Sequence, residues 1–62
     1  MNPNKQQWIE ETQRFQCIAG VEVSSAEELG DEWDEFSNSR KMRELEKIKT
    51  HNTIAEVARR MK

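Results

Sequence analysis

One stretch, residues 24–36, constrains the fold of this chain more than any other, because it carries an apolar stripe and an acidic face together. At about 100° per residue, four apolar side chains of a helix built from it fall within an arc of about 80°. They are Ala26, Leu29, Trp33 and Phe36. The opposite side carries Glu27, Glu28, Asp31, Glu32, Asp34 and Glu35. The pattern predicts an amphipathic helix over residues 25–36 with a single apolar edge.

The start of this helix is marked twice in the sequence. Ser24 has Glu27 three residues after it, and Ser25 is followed by Glu28 at the same distance. Both pairs have the spacing of a capping box, and carboxylates in the first turn also interact favourably with the helix dipole. Gly30 opposes the pattern, since glycine in a helix interior costs about 1 kcal/mol relative to alanine.

Residues 3–19 are predicted to form the first helix. Asn2 followed by Pro3 marks its start, with Asn4 as an alternative cap, and Gly20 suits the left-handed residue just past its end. The face predicted to be buried comprises Trp8, Thr12, Phe15, Ile18 and Ala19, with Ile9 at its margin and Cys17 on the far side.

Two short segments are predicted to separate the helices. Residues 21–23 alternate as in a strand, but three residues without a second strand candidate cannot form a sheet, so we expect an extended linker. Pairing with the same segment of a second copy in a dimer is the alternative. Residues 37–39 are rich in turn-forming side chains and are predicted to form a hairpin. A third helix is expected over residues 40–50, with Met42, Leu45 and Ile48 on one face.

The apolar pattern changes phase after Thr50. A separate face is formed by Ile54, Val57, Ala58 and Met61. Thr53 with Glu56 also has the spacing of a fresh capping box. We therefore predict a break near residues 50–53 and a fourth helix over residues 53–61. One continuous helix is the alternative.

The length of the chain limits its core. A domain of 62 residues buries only about 60% of the surface that its unfolded form exposes. Cys17 is the single cysteine, and with His51 it is the only soft metal ligand, so we expect no disulfide, metal or cofactor. The sequence predicts one all-α domain over residues 1–62, a small helical hairpin or three-to-four-helix module completed by dimerisation.

The predicted compartment is the cytoplasm. A lone thiol fits a reducing compartment, and residues 1–8 have neither the basic cluster nor the apolar run of a signal peptide. No window approaches about 18 consecutive apolar residues, so no membrane-spanning segment is expected.

The side chains that often perform catalysis are not arranged for it here. Acid–base chemistry with paired carboxylates requires environments that separate their pKa values, and six acids on one solvated face offer no such contrast. His51 has no nucleophile or second ligand near it in sequence, and the two glycines form no phosphate-binding loop. We expect that the protein is not an enzyme.

The spacing of the apolar edge resembles that of short acidic and aromatic peptide motifs, whose helices anchor in a partner's groove through positions i, i+4 and i+7. The alternative is that the edge forms the protein's own core. The leading hypothesis is a non-enzymatic inhibitor, adaptor or regulatory subunit that binds another protein of unknown identity. Its predicted partner-binding residues are Leu29, Trp33, Phe36, Asp31, Glu32, Asp34 and Glu35.

Charge distribution supplies two further hypotheses. Residues 1–38 hold nine acidic and two basic side chains, whereas residues 39–62 hold eight basic and three acidic ones. Residues 53–61 resemble the first helix of a helix-turn-helix unit, a match of nine residues that by itself supports no base readout. The first alternative is a nucleic-acid-associated transcriptional regulator with contacts from Arg59, Arg60 and Lys62. The second is a DNA mimic that uses the acidic face.

Overall fold

The structure, a computed structural model, describes residues 3–61, which form three α-helices. Helix α1 spans Lys5–Ala19, α2 spans Ala26–Glu35 and α3 spans Asn38–Arg60. No strand occurs within the described part of the chain. The all-α prediction is confirmed, and residues 21–23 form an exposed linker as expected.

The caps of α1 follow from side chains that the sequence already marks. Asn4 is the N-cap, because its Oδ1 accepts a hydrogen bond from the Gln7 backbone N–H at 3.0 Å. The helix therefore begins at Lys5 rather than at Pro3, and its cap is Asn4, the alternative that the sequence offered. Asn2 lies outside the described residues. Gly20 ends the helix with φ 73°, the left-handed conformation expected of it.

The two serines before α2 have different partners. Ser25 is the N-cap, since its Oγ accepts from the Glu28 backbone N–H at 3.1 Å. Ser24 instead binds the side-chain amide of Gln16 through its backbone N–H at 2.8 Å and its Oγ at 3.0 Å. Of the two predicted capping boxes, one starts the helix and the other attaches the linker to α1.

The predicted break in the last helix is wrong. Ser37 caps α3 through the Arg40 backbone N–H at 3.2 Å, and the helix then continues for 23 residues. The Thr53 hydroxyl donates to the Lys49 carbonyl at 3.1 Å, one turn earlier in the same helix, and so does not act as a cap. The phase change alters which residues face the core and leaves the backbone hydrogen bonds intact.

Helix α1 lies between the other two helices. Ser24 contacts Gln16 while Asp34 contacts Lys5, so α2 runs antiparallel to α1. Helix α3 runs parallel to α1, because Asn52 binds Glu11 and Glu56 pairs with Arg14 further along both helices.

The core lies at the end of the molecule where α1 begins and α2 ends. It consists of Trp8, Ile9, Leu29, Trp33, Phe36 and Leu45, with Ile48 packed against it. Trp8 lies 5.4 Å from Trp33 and 5.6 Å from Phe36 between ring centroids, within the range of favourable aromatic pairs. The aromatic rings come from α1 and from α2 with its C-cap, and α3 adds the aliphatic Leu45 to the same core.

The burial of α1 and α3 differs from the predicted faces at three positions. Ile9, placed at a margin, is only 5% exposed, because α1 is covered on two sides, by α2 and by α3. Gly30 of α2 lies over Ile9, and a Cβ atom at Gly30 would make an ordinary contact of 3.9 Å with Ile9 Cδ1. Ala19 is exposed at the end of α1, and Met42 is 53% exposed on α3.

Candidate protein-binding surfaces

The apolar edge predicted to anchor in a partner is the protein's own core. Leu29 and Trp33 are each 3% exposed and Phe36 is 8% exposed. Their assignment as groove anchors is wrong for the folded chain, because a side chain packed against Trp8 cannot also enter a partner. The i, i+4, i+7 spacing is common to both roles, so the sequence pattern alone did not distinguish them.

Two cations of α3 cover the outer side of this aromatic cluster. The Arg40 guanidinium lies 4.5 Å from the centre of the Phe36 ring, and Lys41 Nζ lies 5.8 Å from that of Trp33. Both distances are within the range of cation–π attraction. These contacts bring positive charge of α3 to the C-terminal end of the acidic helix and close the aromatic core from solvent.

The predicted acidic side chains do form an exposed surface. The acidic surface of α2 comprises Glu27, Glu28, Asp31, Glu32, Asp34 and Glu35. Lys5 Nζ donates to both carboxylate oxygens of Asp34 at 3.1 Å. The other five carboxylates form no ion pair with a cation among residues 3–61. One helix face thus carries several negative charges that the described part of the chain leaves uncompensated.

The basic residues proposed to contact nucleic acid lie in the last turn of α3. Arg59 and Arg60 are exposed, and neither is paired with a carboxylate of the described residues. A cation in this position also interacts favourably with the negative end of the helix dipole. Lys62 lies outside the described residues, so the predicted trio is seen only in part.

The separate apolar face of α3 points into solvent. The apolar stripe of α3 comprises Ile54, Val57, Ala58 and Met61, all of them exposed. The exposed fraction is 61% for Ile54, 48% for Val57 and 82% for Met61. The stripe lies on the side of α3 opposite to Leu45 and therefore makes no contribution to the core.

A buried polar contact between α1 and α3 was missed by the sequence analysis. Asn52 is 3% exposed, and its Nδ2 donates to the backbone carbonyl and to the carboxylate of Glu11, both at 2.9 Å. Asn52 follows Ile48 by one turn and Leu45 by two, so helical spacing placed it on the core face. This contact favours the observed register of α3 against α1, because a shift of either helix along its axis would separate the two residues.

Potential metal ligands are not clustered among residues 3–61. No group of three or more histidine, cysteine or acidic side chains in that range is arranged to hold a metal ion. The His51 ring lies 5.7 Å from the ring of Phe15, and Cys17 is exposed on α1. His51 and Cys17 therefore lie in different surroundings, one beside an aromatic ring and the other in solvent.

Neither the helices nor comparisons with known proteins identify a family. None of the three described helices combines the length and the apolar character that crossing a bilayer requires. The chain matches no protein-family model, no curated protein and no solved structure. Function is therefore inferred from the surfaces described above.

Proposed function

We propose that this chain is a non-enzymatic inhibitor, adaptor or regulatory subunit whose acidic α2 surface binds a basic surface of another protein. The observation that supports the proposal is the row of five exposed carboxylates without a cation in the described part of the chain. Such a row is costly to the isolated protein through self-repulsion, and a basic partner relieves that repulsion.

The burial of Leu29, Trp33 and Phe36 changes the expected energetics of this binding. These side chains hold α2 in place instead of entering the partner, so the acidic surface is presented on a fixed scaffold. Exposed charges act chiefly on the rate of association and its dependence on salt, whereas buried aromatic anchors act on dissociation. We expect fast, salt-sensitive association with a basic protein.

The experiment is capture of the partner by the full chain, followed by binding kinetics with matched charge variants. Neutralising Asp31 and Glu32 as Asp31→Asn with Glu32→Gln is expected to slow association about tenfold at low salt. The control neutralises Glu10 and Glu22, which are exposed acids outside α2. Equal association rates for the two variants and the parent chain would contradict the proposal.

Nucleic-acid binding is a second candidate function, supported by the exposed Arg59 and Arg60 without carboxylate partners among residues 3–61. Phosphate binding through such residues weakens steeply as salt increases. Because the chain carries 12 acidic against 10 basic residues, we expect little binding of duplex DNA at physiological salt. Tight, salt-sensitive retardation of DNA that is lost when both arginines become glutamine would reverse the order of the two candidates.

Mimicry of DNA is a special case of the leading proposal, since it uses the same carboxylates. It requires that the captured partner is itself a DNA-binding protein. Duplex DNA would then compete with the chain for that partner. A partner that binds the chain equally well in excess DNA excludes mimicry and leaves the acidic interface in place.

Self-association and a cytoplasmic location remain part of the proposal. Dimerisation was predicted because a 62-residue domain has a small core. The aromatic edge is buried within one chain, so it does not need a second copy to cover it. Sedimentation over a hundredfold range of dilution tests self-association, and a constant monomer mass would contradict a homo-oligomer. The exposed thiol of Cys17 suits the reducing cytoplasm.

A further inference from the structure

We propose that the apolar stripe of α3 is a second protein-binding surface, and that its occupant is an acidic amphipathic helix of a different protein. The stripe is distinct from the acidic surface of α2 and has the opposite charge around it. The inference therefore goes beyond the proposed function and gives the chain two surfaces, as a bridging adaptor requires.

The stripe has the dimensions of a helix-binding site. Ile54, Val57 and Met61 occupy positions i, i+3 and i+7, so they form a row of about 10 Å along the helix axis. Two turns of a partner helix present apolar side chains over the same length. Three large aliphatic side chains that are roughly half exposed or more, in one row, are the largest apolar feature left on α3 outside the core.

Cations lie before the stripe and at its end on the same helix. Arg43 and Lys47 precede Ile54 by eleven and seven residues and lie on the same outer face, and Arg60 lies beside Met61. None of these three cations is paired with a carboxylate in the described part of the chain. By contrast, Arg40 and Lys49 of the same helix have Glu44 and Glu46 as partners at 3.7 and 3.8 Å. The unpaired cations favour an occupant that is acidic beside its apolar row.

The same charges argue against a second copy of this chain as the occupant. Pairing two stripes face to face brings both sets of unpaired cations into one interface, where like charges repel. The acidic α2 of a second copy offers compensating charge, but Leu29, Trp33 and Phe36 are buried and cannot cover the stripe. An acidic helix with its own exposed apolar row meets both requirements.

The test is a titration of the isotope-labelled full chain with a synthetic peptide, followed by backbone amide NMR. The probe is a peptide of about 15 residues with leucine at helical spacing on one face and glutamate on its flanks. We expect chemical-shift changes confined to residues 43–61. A second peptide with lysine in place of every glutamate should bind about tenfold more weakly.

Matched variants separate the stripe from the rest of the surface. Ile54→Asp should weaken peptide binding about tenfold or more, because it places a charge in the apolar row. Val23→Asp is the control, since Val23 is 48% exposed, like Val57, but lies in the linker before α2. Both variants must keep the parent's helix content by circular dichroism. The variant with Asp31 and Glu32 neutralised should bind the peptide like the parent, which separates this proposal from the function of α2.

Several results would overturn the proposal. One is the absence of shift changes at millimolar peptide, and another is their location on α2. Equal affinity for the acidic and basic peptides would remove the charge argument. Dilution-dependent shifts of the stripe in the chain alone would identify a second copy as the occupant. Chemical-shift changes in the stripe on addition of duplex DNA or phosphatidylglycerol vesicles, without any response to the acidic peptide, would identify nucleic acid or a membrane as the occupant instead.

Discussion

The aromatic end of the molecule and the C-terminal half of α3 use nearly the same sequence pattern with opposite results. Leu29, Trp33 and Phe36 are spaced i, i+4 and i+7 and are 3–8% exposed. Ile54, Val57 and Met61 are spaced i, i+3 and i+7 and are 48–82% exposed. Both rows predict an amphipathic helix, so the spacing defines a face without deciding whether that face is buried.

The size of the side chains explains which row is buried. An aromatic side chain buries about 150–250 Å² and gains further from ring–ring contacts, which exceeds the area of Ile, Val or Met. A chain of 62 residues has few helix surfaces available to cover apolar faces. Helix α1 carries two large apolar side chains, Trp8 and Ile9, which pack against core residues of α2 and α3. Among the described residues, no helix surface is then left to cover the aliphatic stripe of α3, which remains in solvent. Four mutational experiments test this difference.

The largest expected effect is at the aromatic end. Trp33→Ala removes a nearly completely buried ring and should lower the free energy of unfolding by about 3–5 kcal/mol. A core of this size supplies only about 3–5 kcal/mol, so most of the helical signal should be lost at room temperature. Circular dichroism measures the helical signal, and urea unfolding measures the free energy of unfolding. Ile54→Ala is the matched control in the exposed row, with an expected change under about 0.5 kcal/mol. Equal losses for the two variants would contradict the assignment of core and surface.

A smaller effect is expected at Asn52, which joins the two regions. Asn52→Ala removes the hydrogen bonds to Glu11 and leaves a half-buried carboxylate with fewer donors, which should cost about 1–3 kcal/mol. Thr53→Ala is the control on the next residue, where an exposed hydroxyl binds its own helix backbone and little change is expected. Urea unfolding of both variants compares them. A stable Asn52→Ala chain would show that apolar packing alone fixes the register of α3.

The two glycines should respond to alanine with opposite signs. Gly20 ends α1 with φ 73°, and alanine in that conformation is strained by about 1 kcal/mol. Gly30 is buried inside α2, where alanine improves helix propensity. Its Cβ would lie 3.2 Å from Cε of Lys5, a flexible side chain that can move aside, so we expect a gain of about 0.5 kcal/mol. Thermal unfolding of each variant shows whether the substitution stabilises or destabilises the protein. Destabilisation by Gly30→Ala would show that Lys5 is held more firmly than its exposure indicates.

The smallest expected effect is that of the ion pair between Lys5 and Asp34, which lies over the aromatic end. Both side chains are largely exposed, at 46% and 61%, and such pairs contribute about 0.2–1 kcal/mol. A double-mutant cycle with Lys5→Met and Asp34→Asn should give a coupling in this range that decreases in 0.5 M salt. A coupling above about 2 kcal/mol would mean that the ion pair, and not the aromatic cluster alone, holds α1 against α2.

Several elements of the fold could be predicted because their causes are local. Ser25 has a free side-chain acceptor three residues before a backbone donor, and Gly20 is the residue type that tolerates a left-handed conformation. The exposed carboxylates of α2 were also foreseen, since charged side chains are rarely buried without a partner. The predicted break near Thr53 was wrong because the same hydroxyl can bind the preceding turn of a continuous helix equally well.

The sequence by itself determined that the chain is helical, that α2 begins just after Ser24 or Ser25, that Gly20 caps the end of α1 and that one face of α2 is acidic. Each depends on interactions within about one helical turn, so neighbouring residues suffice. Only the tertiary structure decided that Leu29, Trp33 and Phe36 are core, that Asn52 is buried and that the apolar stripe of α3 is exposed. Burial is a competition between faces for a limited area of covering helix, and residues far apart in sequence decide it.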